Sequence, residues 1–96
     1  VSYRLTPRAV EDIEAIAAYV GEQNATAAAN LVRSFIDRFE LAAEYPYLGM
    51  SREDIIPGLR HLVLGTYLTF YRLEAGDVVV LRVLHGRREI SNQDIS

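Results

Sequence analysis

Ten arginines and two histidines are the basic side chains with which this chain can do chemistry. No lysine accompanies them, so every side-chain cation outside the histidines is a planar guanidinium, suited to bidentate contacts with carboxylates or phosphates. GC-rich codon usage accounts for the same bias equally well. His61 and His85 are too few for a histidine-rich metal site. No spacing of Asp, Glu and His resembles a metal-binding loop, so no metal or cofactor is expected. The absence of cysteine excludes disulfide staples, thiol catalysis and cysteine-based zinc sites, and it fits a reducing cytoplasm.

The cations are unevenly opposed. Residues 1–50 hold four arginines against seven acidic residues, and residues 51–96 hold six against six, for a net charge of −3. An acidic front half is a poor platform for neutralising phosphates, so no direct sequence-specific nucleic-acid binding is expected. No apolar run approaches the roughly 18–20 residues of a membrane span. The opening residues lack the basic start and apolar stretch of a signal peptide. A cytoplasmic protein with no membrane partner is the expectation.

The elements that must position these residues are legible from periodicity. The 96 residues are read as one domain, 1–96. Tyr3 to Thr6 reads as a strand. Thr6-Pro7 is a helix start, and Val10, Ile13, Ile16, Ala17 and Val20 recur on one helical face up to Gly21. Asn24 caps a second helix whose stripe is Ala28, Leu31, Val32, Phe35, Phe39 and Ala42, and which Pro46 ends near Tyr45. Tyr45 to Gly58 is a breaker-rich connection, with Met50 to Asp54 expected exposed. Leu59 to Leu64, Tyr67 to Leu73 and Val78 to Leu84 read as three strands joined by tight turns. Gly86 to Ser96 is expected to be a frayed helix or loose tail. The order β-α-α-β-β-β makes an α+β fold, a helical hairpin packed on one face of a small antiparallel sheet whose other face stays partly open.

Several ordered pieces resemble the RelE/ParE superfamily of bacterial toxins. They are Tyr3-Arg4-Leu5-Thr6 leading into Ala9, Asp12, Ile13, Ile16 and Tyr19; Ala43-Glu44-Tyr45-Pro46-Tyr47-Leu48-Gly49, like the A-x-x-P-x-x-G link; and Gly58-Leu59-Arg60. Tyr67 to Arg72 is similar to the Y-x-x-F-Y-R strand, and Arg82-Val83-Leu84-His85 with Arg87-Arg88 is similar to the closing strand. Each piece alone is weak; the ordered set spans nearly the whole chain.

The resemblance implies the toxin of a type II toxin–antitoxin system. RelE- and YoeB-like members cut messenger RNA on the ribosome, whereas ParE-like members, of the plasmid-stabilisation type, poison DNA gyrase. Cleavage needs a base, an acid and cations for the phosphate, and the nuclease members use a His or Tyr near the C-terminus with several Lys or Arg. Here His85 with Arg60 and Arg82 could fill those roles. No tyrosine follows Tyr71, however, and the chain is acidic and lysine-free. Those departures favour the ParE-like branch: a gyrase inhibitor acting by binding, with no catalytic residue of its own, neutralised in a hetero-oligomer by a ParD-like antitoxin. The ribosome-dependent endoribonuclease is the alternative, and a non-toxic, antitoxin-binding relic is a third reading.

For such a binding protein the expected partner contacts are Arg60, Arg82, His85, Arg87 and Arg88, meeting acidic residues of the antitoxin. All but Arg60 have a plainer reading. His85 can end a strand by hydrogen-bonding backbone, Arg72 and Arg82 can pair with helix carboxylates, and Arg87-Arg88 can be a solvated dipeptide. Whether Arg72 and Arg82 share a face depends on the length of the loop at Ala75-Gly76-Asp77. Tyr45 is expected to close the base of the helical hairpin, while Tyr19 and Tyr47 suit either packing or an interface.

Overall fold

The computed structural model describes residues 2–95. After the short strand β1 (Tyr3–Leu5), helix α1 (Pro7–Gly21) begins where expected. Thr6 accepts the Ala9 N–H on Oγ1 at 3.1 Å, and Pro7 occupies the first turn, where its missing N–H costs nothing. Helix α2 (Ala25–Glu44) starts on the Asn24 side chain, which accepts the Ala27 N–H at 2.9 Å. It ends at Tyr45, whose φ of −129° is the extended backbone forced on a residue before proline. The two helices lie against each other and against the sheet through Ala9, Phe35, Phe39 and Ala42.

The sheet has five strands in the order β1-β5-β4-β3-β2, adding β2 (Met50–Ser51), β3 (Arg60–Leu64), β4 (Tyr67–Glu74) and β5 (Asp77–His85). The α+β class holds, with two corrections to the expected sheet. It is mixed, because β1 runs parallel to β5, with Tyr3 opposite Val78 and Leu5 opposite Val80. It also gains β2, an edge pairing of Met50 with His61 and Ser51 with Arg60, in what reads as loop because two residues carry no periodicity. The neighbouring hairpins β3–β4 and β4–β5 are antiparallel as expected.

The β4–β5 turn settles the facing of Arg72 and Arg82. It has two residues, Ala75 and Gly76, at φ 51° and 84°, the left-handed pair whose twist suits a tight hairpin. A two-residue loop alone would set the arginines on opposite faces. Leu81 is an extra residue, a bulge, so Tyr71 pairs with Val80 but Phe70 pairs with Arg82. Arg82 therefore lies in register on the face that carries Arg72 and Phe70.

That second face, expected to stay partly open, is largely covered in the structure. Leu59, Phe70, Leu84 and Ile95 form a buried cluster there, flanked by Ile55, Ile56, Leu81 and Ile90. Of the two forms expected for the tail, a frayed helix or a loose end, it takes the helical one: it turns back into a short helix, α3 (Asn92–Ile95), because Ile90 and Ile95 have apolar surface to bury against the sheet. Among the described residues no helix is long and apolar enough to cross a membrane.

One polar atom in the helix-side layer is unmatched. Thr69 is 2% exposed, and its hydroxyl has no hydrogen-bond partner among the described residues. Replacing it with the isosteric valine removes a desolvated hydroxyl, so Thr69→Val should stabilise the fold by about 1 kcal/mol. The melting temperature should then rise by about 4–8 °C for a chain of this size. A lower melting temperature would mean that the hydroxyl has a partner in solution.

Candidate partner-binding site

The five arginine and histidine positions singled out in the sequence fall into three places. Arg82 is the most constrained. Beyond Leu5, β1 leaves the sheet and the rest of β5 has a bare edge. The chain covers it with side chains: the Thr6 hydroxyl donates to the Leu81 carbonyl at 2.9 Å, and Asp12 of α1 accepts the Val83 N–H at 3.0 Å. The same Asp12 carboxylate takes Arg82 in a two-pronged pair, Nε to Oδ2 at 2.6 Å and Nη2 to Oδ1 at 2.9 Å. Both side chains are nearly buried, 11% and 14% exposed. The Asp12 hydrogen bond raises the Arg82 pKa above its already high ordinary value.

Arg82 also donates to the Asp94 carbonyl, and Arg88 pairs with the Asp94 carboxylate. Asp94 accepts the Ser91 N–H at 2.8 Å, which with the nearby Arg88 and Arg82 lowers its pKa. Arg82 and Arg88 thus meet at one residue and hold the terminal turn onto the sheet.

His85 lies at the far end of β5, exposed. Its Nδ1 accepts the Arg87 N–H at 3.2 Å, and its ring meets Tyr67 edge-on at 5.6 Å. Arg87 itself is exposed.

Arg60 stands apart, opposite Tyr71 on β4. The Pro46–Gly49 link is built around these two side chains. The Tyr71 hydroxyl donates to the Pro46 carbonyl at 2.9 Å and accepts the Gly49 N–H at 3.0 Å. Burial raises the pKa of this phenol. Arg60 Nη1 donates to the carbonyls of Tyr47 (3.2 Å) and Gly49 (2.7 Å), and its guanidinium lies 5.2 Å from the Tyr47 ring. Tyr45 does not close the hairpin base as expected; Tyr19, Tyr45 and Tyr47 are all exposed.

The sequence reading missed two features here. One is a cavity of about 470 Å³ beside Arg60, walled by Pro46, Tyr47, Pro57, Gly58, Arg72 and Leu73. The A-x-x-P-x-x-G spacing was its only advance signal. The other is the cluster of Arg52, Asp54 and His61. Arg52 pairs with Asp54 at 3.1 Å and meets His61 Nδ1 at 3.2 Å. Burial, and then Arg52, depress the His61 pKa. Among the described residues no group of three or more His, Cys, Asp or Glu could hold a metal ion.

A helical hairpin on one face of this five-stranded sheet is also the fold of a chain from the chromosomal ParDE TA system of P. aeruginosa. The two superpose with a TM-score of 0.76 over 88% of this chain and 95% of that one, at 20% identity. The family model described as "ParE toxin of type II toxin-antitoxin system, parDE" matches residues 3–90. Toxin ParE3 of Caulobacter vibrioides is 37% identical over 73 residues, 76% of this chain and 70% of that protein. Toxin ParE1 of the same organism is 33% identical over 84 residues, 86% of each. Toxin ParE1 of Mycobacterium tuberculosis is 41% identical over 56 residues, 57% of this chain and 54% of that one. The chain belongs to the ParE toxin family of type II toxin–antitoxin systems.

Proposed function

We propose that this toxin acts in the cytoplasm by binding DNA gyrase, and that a ParD-like antitoxin neutralises it in a hetero-oligomer. The observation that carries a binding mode over RNA cleavage is the dispersal of His85, Arg60 and Arg82. Arg60 is in register with Tyr71 and His85 with Tyr67, on strands either side of β4. That separates them by about 13 Å along the sheet and about 10 Å across it. Arg82 is spent on Asp12. His85 accepts a backbone N–H. A phosphodiester needs its base and its cations within a few ångströms of one point. The gyrase target itself rests on kinship with ParE proteins, and the antitoxin on the pairing named in the family's description.

The test is induction without antitoxin, scoring covalent gyrase–DNA complexes and ribosome-associated transcript cuts in one culture. Gyrase complexes with intact messages are expected, and His85→Ala should retain full toxicity. Cut messages, together with a folded but harmless His85→Ala variant, would assign the protein to the ribosome-dependent endoribonucleases instead.

A further inference from the structure

The cavity beside Arg60 has the features of a receptor for one acidic side chain. Ion pairs tie Arg4, Arg52, Arg72, Arg82 and Arg88 to carboxylates, and Arg60 is in none of them. It is half-buried, and backbone carbonyls fix its position. Both carbonyl bonds fall on Nη1, which among the described residues leaves the Nη2 and Nε hydrogens for a ligand. A guanidinium held this way presents its charge with little further ordering to do on binding. Arg72 lines the same cavity, its charge shared with Glu74. Pro46, Pro57, Leu73 and the exposed Tyr47 ring supply apolar walls.

We propose that this cavity receives a single Asp or Glu of a partner peptide, the carboxylate on Arg60 and its apolar neighbour against Tyr47 and Leu73. The proposal rests on the antitoxin-neutralised reading above and narrows it to one contact. A peptide fits better than a nucleic acid. Glu53 lines the cavity and Glu74 sits on Arg72, so repulsion grows with each added negative charge and disfavours a polyanion more than a single carboxylate. The volume of about 470 Å³ suits a few side chains.

The probe is acetyl-Leu-Glu-Leu-amide, titrated into the purified chain while the arginine Nε–H signals are followed by NMR. The Arg60 signal should shift saturably at millimolar peptide, with the Gln analogue binding about tenfold weaker. Arg60 also anchors the 46–49 link, so Arg60→Gln could unfold the chain. Tyr47→Ala and Arg72→Gln leave its carbonyl bonds in place, and each should weaken the peptide severalfold. Equal shifts with the Gln analogue, or none at Arg60, overturn the proposal. So does an equally strong response to inorganic phosphate or to a short single-stranded oligonucleotide, which would mark an anion or nucleic-acid site. The growth assay is read separately. Growth arrest relieved by antitoxin without peptide binding removes the cavity and keeps the function, while peptide binding without arrest does the reverse.

Discussion

Asp12→Ala should cost about 3–5 kcal/mol of stability, as expected when one partner of a nearly buried ion pair is removed and the other stays behind. The loss has two physical parts. Arg82 is left 9% exposed without its carboxylate, and the Val83 N–H on the bare edge of β5 loses its acceptor. At about 4–8 °C per kcal/mol the melting temperature should fall by about 12–40 °C. Adding Arg82→Met removes the stranded charge, so the double variant should be more stable than Asp12→Ala alone. Urea denaturation of the parent chain and the two variants checks this. A cost below about 1 kcal/mol for Asp12→Ala would show that the edge is held by other means.

Gly49→Ala should be the next most damaging single change. A Cβ there would sit 2.5 Å from the Tyr71 hydroxyl and 2.9 Å from the His61 carbonyl oxygen. Neither can retreat easily, because the hydroxyl is bonded to Pro46 and Gly49 and the carbonyl belongs to a paired strand. Overpacking of this kind costs about 1–3 kcal/mol, and the upper end applies here. Tyr71→Phe alone should cost about 1–2 kcal/mol by leaving the Pro46 carbonyl and the Gly49 N–H unpaired. In combination the two should be less than additive, since removing the hydroxyl also removes the worst contact. Full additivity in a thermal-melt cycle would mean the link does not close on Tyr71.

The helical hairpin is legible in the sequence because Thr6, Asn24 and Pro46 punctuate two clean 3.6-residue stripes. The β3–β4–β5 meander is legible because its turns are short and its strands rich in aromatic and β-branched types. Where the reading fails, the information lies in pairs far apart along the chain. Nothing local in Tyr3–Leu5 says that it runs parallel to β5. The bulge at Leu81 is a property of two strands together. Ile90 and Ile95 look like isolated apolar residues in a polar tail until Phe70 and Leu84 are seen beneath them. The candidate site follows the same rule. Arg60 was legible as a sheet arginine beside a Pro-x-x-Gly link, but its cavity exists only because Tyr71 folds that link inward. Arg82 was equally conspicuous, yet Asp12, 70 residues away, takes up its guanidinium.

The parallel docking of β1 on β5 also has a consequence in time. Contacts such as Thr6 to Leu81 join residues 75 apart, so the sheet cannot close while the chain is still short. A ribosome extends a chain by about 5–20 residues per second, so roughly forty residues separate the end of α2 from the end of β5 by about 2–8 s of synthesis. During that interval Phe35, Phe39 and Ala42 have no sheet to cover them. A protein that reaches the nascent chain then meets the bare helical hairpin, and it can seize the apolar face that the finished toxin keeps for itself.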